Sequence, residues 1–152
     1  MTTDDDRLPL DEVTREVRRL ARTLPVELGA AAQVSAVSGD GRVEGFSVRS
    51  ETAGSVEVWM MHDAGRLVVG VDDCPGWDLP RTPESVAVLR AVVDAGAAGR
   101  IEVGAARGRR SYRVPLPDGT VMEDGRVGLL GTLLEMPWKP RVRWSAAAAY
   151  GA

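Results

Sequence analysis

An α+β fold, an antiparallel twisted sheet with helices mainly on one face, follows from three features of the sequence. Three extended segments with two-residue apolar alternation follow one another between Val43 and Asp73. Short turns join them, Glu51-Thr52-Ala53-Gly54 and His62-Asp63-Ala64-Gly65, too short for anything but antiparallel pairing. Two stretches with the apolar spacing of a helix flank this meander. The predicted element order is α-β-β-β-α-β-β-α, with further strands possible near Val34 and Val142.

In chain order, the first helix is expected from about Leu10 to Leu24. Val13, Val17, Leu20 and Leu24 form its stripe, Pro9 precedes it, Asp11 and Glu12 sit in its first turn, and Pro25 ends it. Residues 26–41 are ambiguous: Ala30 to Gln33 could prolong a helix, and Val34 to Val37 could be a strand leading into the meander. In the meander, Val56, Val58, Met60, Leu67, Val69 and Val71 are predicted to face the core. A turn-rich loop, Asp72 to Pro80, leads to a helix capped by Thr82, with Pro83 at its first position and a stripe of Val86, Leu89, Val93 and Ala97. Ile101 and Val103, then Tyr112, Val114 and Leu116, predict a second hairpin around Ala106-Arg107-Gly108-Arg109. Pro117-Asp118-Gly119 makes a turn, and Val127, Leu130 and Leu134 suit a short third helix closed by Pro137. Arg141 to Trp144 alternates like a strand.

A chain of 152 residues fits one domain that buries about 70% of its unfolded surface, enough for a core without disulfides or metal. The expected organisation is a disordered tail over 1–8, a single domain over 9–144 and a flexible tail over 145–152. With 44% hydrophobic and 27% charged residues, the composition is globular. Gly, Arg or Asp breaks every apolar run well before the roughly 20 residues that span a bilayer, so no membrane segment is expected. The acidic start, Met1 to Asp6, is unlike a secretory signal, and the single cysteine, Cys74, cannot form an internal disulfide; both point to the cytoplasm. Ten basic and seventeen acidic side chains leave residues 1–96 at −7, and nine and five leave 97–152 at +4. A mildly basic end is not the coherent stripe that phosphate backbones require, which argues against nucleic acid.

No phosphate-binding loop, dinucleotide fingerprint, nucleophile elbow, H-E-x-x-H or C-x-x-C occurs, so no catalytic residue, resident metal or cofactor is predicted. Cys74 and His62 would make a nucleophile and base only within hydrogen-bond reach. A plain hairpin instead sets them at opposite ends, about 25 Å apart by strand rise. Asp72, Asp73 and Asp78, around Cys74, Pro75, Gly76 and Trp77, form an acidic loop that could hold a hard cation or border a ligand pocket. Acids in such loops more often cap backbone amides, and Trp77 suits a plug over the core edge. Arg107, Arg109, Arg110 and Arg113, with Tyr112 between, could meet RNA, or could be a solvated turn that protects a sheet edge.

The remaining feature is apolar. If the helices cover the face bearing Val58 and Val69, then Trp59, Met61 and Val68 stand on the opposite face beside Arg66. Burying such a Trp or Met is worth about 2 kcal/mol each, so cover is expected from a second subunit, a protein partner, or the C-terminal segment with Trp138 and Trp144.

The order of elements from about Leu10 to Met136 resembles the secretion-chaperone-like fold of type III secretion chaperones. That resemblance implies a homodimer that binds a partner polypeptide without doing chemistry. The sequence reading is therefore a small interaction protein, a chaperone-like adaptor or an immunity-type inhibitor, acting through Trp59, Met61, Val68 and Arg66. Two alternatives stay open: a small enzyme or ligand-binding protein with its pocket at Asp72 to Trp77, and a nucleic-acid binder using the arginine hairpin.

Overall fold

The computed structural model describes residues 7–106, 108–127 and 142–152. Its elements are α1 (Glu12–Leu28), β1 (Gln33–Gly39), β2 (Val43–Arg49), β3 (Val58–His62), β4 (Arg66–Val71), β5 (Trp77–Pro80), α2 (Pro83–Ala97), β6 (Glu102–Ala106), β7 (Arg109–Pro115), β8 (Val121–Val127) and β9 (Arg143–Ala146). The class is α+β, as the sequence predicts, but the strands divide into two antiparallel sheets rather than one. The first is the meander β1-β2-β3-β4-β5, and the second has the order β8-β7-β6-β9.

Asp11 is the N-cap of α1, its carboxylate accepting from Thr14 N at 3.0 Å. The helix does not stop at Pro25 but runs one further turn to Leu28, where the Gly29 amide donates to the Pro25 carbonyl. Proline removes one helical hydrogen bond, yet Leu24 is buried and Leu28, one turn on, packs against the core, so burial outweighs the break. Thr82 caps α2 as expected, accepting from Ser85 N at 3.3 Å, with Pro83 leading the helix. The ambiguous stretch after α1 resolves as a 3-10 turn at Gly29–Ala31 followed by β1.

Alternation along the meander is as predicted: Val56, Val58, Met60, Leu67, Val69 and Val71 are all buried. They meet Val13, Val17, Leu20 and Leu24 of α1 and Leu89, Val92 and Val93 of α2 in one core cluster. Helix α2 packs on β3 and also on β7, and so joins the two sheets through that core.

Three elements, β5, β8 and the C-terminal stretch, differ from the sequence reading. The end of the expected turn-rich loop, Trp77 to Pro80, instead forms β5, laid against β4 from Arg66↔Pro80 to Val69↔Trp77. β8 was not expected, because Glu123, Asp124 and Gly125 dilute its apolar pattern; the ladder to β7, from Arg109↔Val127 to Pro115↔Val121, forms it instead. The third helix predicted from Val127 falls, beyond that residue, outside the described residues. The C-terminal stretch expected as a flexible tail is built into the fold. Ser145 and Ala146 belong to β9, and Ala147 and Tyr150 are buried. Ala147 N donates to Ile101 O at 2.8 Å, and Tyr150 N donates to Ala97 O at 3.0 Å. The Tyr150 hydroxyl donates to Val56 O at 2.7 Å, so the tail stitches the end of α2 to the start of β3.

This contact sets a first test. Tyr150→Phe should cost about 1–2 kcal/mol, because it leaves a buried carbonyl without its donor. Tyr150→Ala should cost about 3–5 kcal/mol by urea unfolding. Losses below about 0.5 kcal/mol in both variants would show that the tail does not dock.

Candidate functional site

Strand register turns the alternation of the meander into rows across its outward face. Val37, Gly45, Met61, Val68 and Asp78 are successive Cα partners from β1 to β5. Ser35, Ser47, Trp59 and Gly70 make the next row. Adjacent residues confirm the sidedness: Met60 is 1% exposed and Met61 40%. Val37, in the same row, is 48% exposed.

Trp59 is half-buried, and its cover comes from its own sheet. The indole lies on its cross-strand partner Gly70, where any Cβ would overlap the ring, and reaches Gly76, where a Cβ would stand 2.9 Å from it. The ring Nε1 donates to Asp72 O at 2.8 Å. A glycine inside a strand marks such a close approach, and this pairing is the signal that the sequence reading missed. At Gly45, the partner of Met61, a Cβ would first overlap the Met60 carbonyl oxygen and then meet Met61 Cγ at 3.1 Å.

Among the described residues, the expected C-terminal cover does not reach this face. Trp144 belongs to β9 and lies on Gly104, its own cross-strand partner, with the Arg113 guanidinium 3.7 Å from its ring centroid. Trp138 lies outside the described residues.

Trp59, Met61 and Val68, with Val43 and Gly76, thus line an open groove of about 310 Å³. Its charged rim is Arg66, whose guanidinium is 3.5 Å from Asp63 and 3.6 Å from Asp78. The Asp63 carboxyl is held below its usual range, first by the backbone amide of Gly65 that it accepts from. The structure therefore brings together all four residues predicted as the binding set, and adds Asp78 from the acidic loop.

The rest of that loop is consumed in holding the fold. Asp72 takes a left-handed backbone (φ 46°), and its carboxylate accepts from Glu57 N at 2.8 Å. Burial pushes its pKa up. Asp73 accepts from the Tyr112 hydroxyl at 3.1 Å. Cys74 is buried, its sulfur accepting from Val71 N at 3.2 Å, and burial raises its thiol pKa, which makes it a poor nucleophile. Gly76 N donates to Asp124 at 2.9 Å, and Trp77 Nε1 to Glu123 O at 3.2 Å. The loop is a clamp between the two sheets, and no group of three or more potential ligands that could hold a metal occurs among the described residues.

The arginine hairpin has the same character. Tyr112, which would have to stack on a base, is buried with its hydroxyl tied to Asp73. Arg113 is engaged with Glu123 at 3.1 Å, and Arg109 donates to Ser111 at 3.3 Å. His62 is also buried, at the opposite end of the β3–β4 pair from Cys74, as the hairpin geometry requires. Arg81, itself almost fully enclosed, donates to His62 Nδ1 at 2.8 Å and to Asp11 at 2.7 Å. Because arginine only donates, Nδ1 accepts and the ring is the neutral Nε2–H tautomer. Desolvation, then the Arg81 charge, lowers the His62 pKa.

Compared with known proteins, the chain matches no family model, no curated protein and no solved structure.

Two tests follow from this geometry. Gly70→Ala should cost about 1–3 kcal/mol by forcing the indole off the sheet. Gly65→Ala, in a turn with room for a Cβ, should cost less than about 1 kcal/mol; equal losses would deny the stacking. For His62, the ring stays neutral in the folded protein while the unfolded chain binds a proton below about pH 6.5. Stability should therefore fall as pH drops from about 7 to 5, and His62→Gln should flatten that slope in urea titrations. Identical slopes would mean that His62 is not buried as described.

Proposed function

We propose that this protein works by binding rather than catalysis, taking a protein partner on the outward face of the five-stranded sheet. One observation carries the reading: a row of apolar side chains, Val37, Met61 and Val68, stands open beside an indole already fixed in place. A large side chain locked by its own packing loses little entropy when a partner arrives, which is what an interface anchor needs. The partner best suited to the groove is a polypeptide that inserts one apolar side chain between Trp59, Met61 and Val68 and meets the ion pairs of Arg66 at the rim. Such exposed pairs contribute little affinity but reward a partner with matching charges by orienting it.

An adaptor of the secretion-chaperone kind, or an immunity-type inhibitor, would use such a face. The enzyme alternative is weaker, because Asp72, Asp73 and Cys74 serve the loop that carries them. The nucleic-acid alternative is weaker because Tyr112 is enclosed.

A peptide selected from a random library against the wild-type protein provides the test. Met61→Asp replaces an exposed side chain and should fold normally, yet weaken that peptide by about tenfold or more, equivalent to about 1.4 kcal/mol. Unchanged affinity for Met61→Asp and Val68→Ser together would move the binding site off this face.

A further inference from the structure

The two sheets have four outer edges among the described residues, and three of them are guarded. β5 carries Asp78 and Pro80, β8 carries Glu123 and Asp124, and β9 carries Arg143. Charges and proline on an edge are the usual means of stopping another strand from adding to it. β1 has none. Its seven residues, Gln33 to Gly39, include no charged side chain and no proline, and all but Val34 are exposed. No described strand pairs with its outer side.

We propose that β1 pairs with β1 of a second copy of this chain, antiparallel about a two-fold axis, joining two five-stranded sheets into one of ten strands. Symmetry is what selects this occupant. A two-fold axis sets each residue at the centre of the strand opposite itself or a close neighbour, so any charge there would face its own copy. An uncharged strand of small side chains is what such pairing requires, whereas nothing in it would select a charged foreign strand. With the axis at Ala36, Val37 falls opposite Ser35 of the second copy and Val34 opposite Ser38, which leaves no bulky pair to clash. The outward rows then run on across the junction. The Val37, Gly45, Met61 and Val68 row of each copy then meets the Ser35, Ser47 and Trp59 row of the other, which joins the two outward faces while leaving each groove open.

A ladder of about seven residues makes a small interface, so the dimer should dissociate on dilution. Sedimentation from about 5 µM to about 500 µM should show the wild type passing from monomer to dimer. Ala36→Lys sets two ammonium groups face to face at an already exposed position and should hold the protein monomeric throughout. Ala36→Ser and Met61→Asp should both dimerise like the wild type, which separates edge pairing from the sheet face. Hydrogen exchange needs no variant: amides 33–39 should gain protection as concentration rises. A wild type that stays monomeric would overturn the proposal. So would an Ala36→Lys protein that dimerises normally, or dimerisation lost in Met61→Asp and kept in Ala36→Lys.

Discussion

Everything outward-facing in this fold depends on one contact, an indole laid flat on a glycine of the neighbouring strand. Two helices shield one side of the meander, so a large apolar residue on the other side must either stay wet or find a neighbour with no side chain. Trp59 over Gly70 takes the second course, and its Nε1 bond to Asp72 O fixes the ring's direction along the sheet. The second sheet repeats the device with Trp144 over Gly104. In both places a strand gives up the packing and the rigidity of a β-branched residue, a cost of about 1 kcal/mol, for a much larger buried ring.

The consequence reaches the loop that follows β4. Because the Trp59 ring spans Gly70 and touches Gly76, the chain between them must turn tightly, and Asp72 does so with a left-handed backbone held by Glu57. Asp73 and Gly76 then meet Tyr112 and Asp124 of the second sheet. Residues that look like chemistry in the sequence fasten this loop and the two sheets together.

The meander was legible because Val58, Met60, Val69 and Val71 alternate without interruption, and α2 because Thr82-Pro83 is a strong helix start. That Trp59, Met61, Val68 and Arg66 share the outward face was legible for the same reason: period two assigns a face once the core face is known. What stayed hidden depends on contacts distant in sequence. β8 is shaped by its ladder to β7, and Tyr150 docks through a bond to Val56 on the far side of the chain. The role of Gly70 needs the register that sets it opposite Trp59, and the buried Arg81 between His62 and Asp11 carries no local pattern at all. Leu28 extends α1 past Pro25 because a tertiary contact outweighs a local rule.

Met60 and Met61 are neighbours in sequence on opposite sides of the sheet, and so each serves as the other's control. Limited oxidation with peroxide, read by mass spectrometry of the peptide containing both, tests directly whether the outward face is open. Met61 should convert to its sulfoxide about tenfold or more faster than Met60, since susceptibility follows exposure. Comparable rates, or a protected Met61, would mean that this face is covered and that the groove is not the binding site.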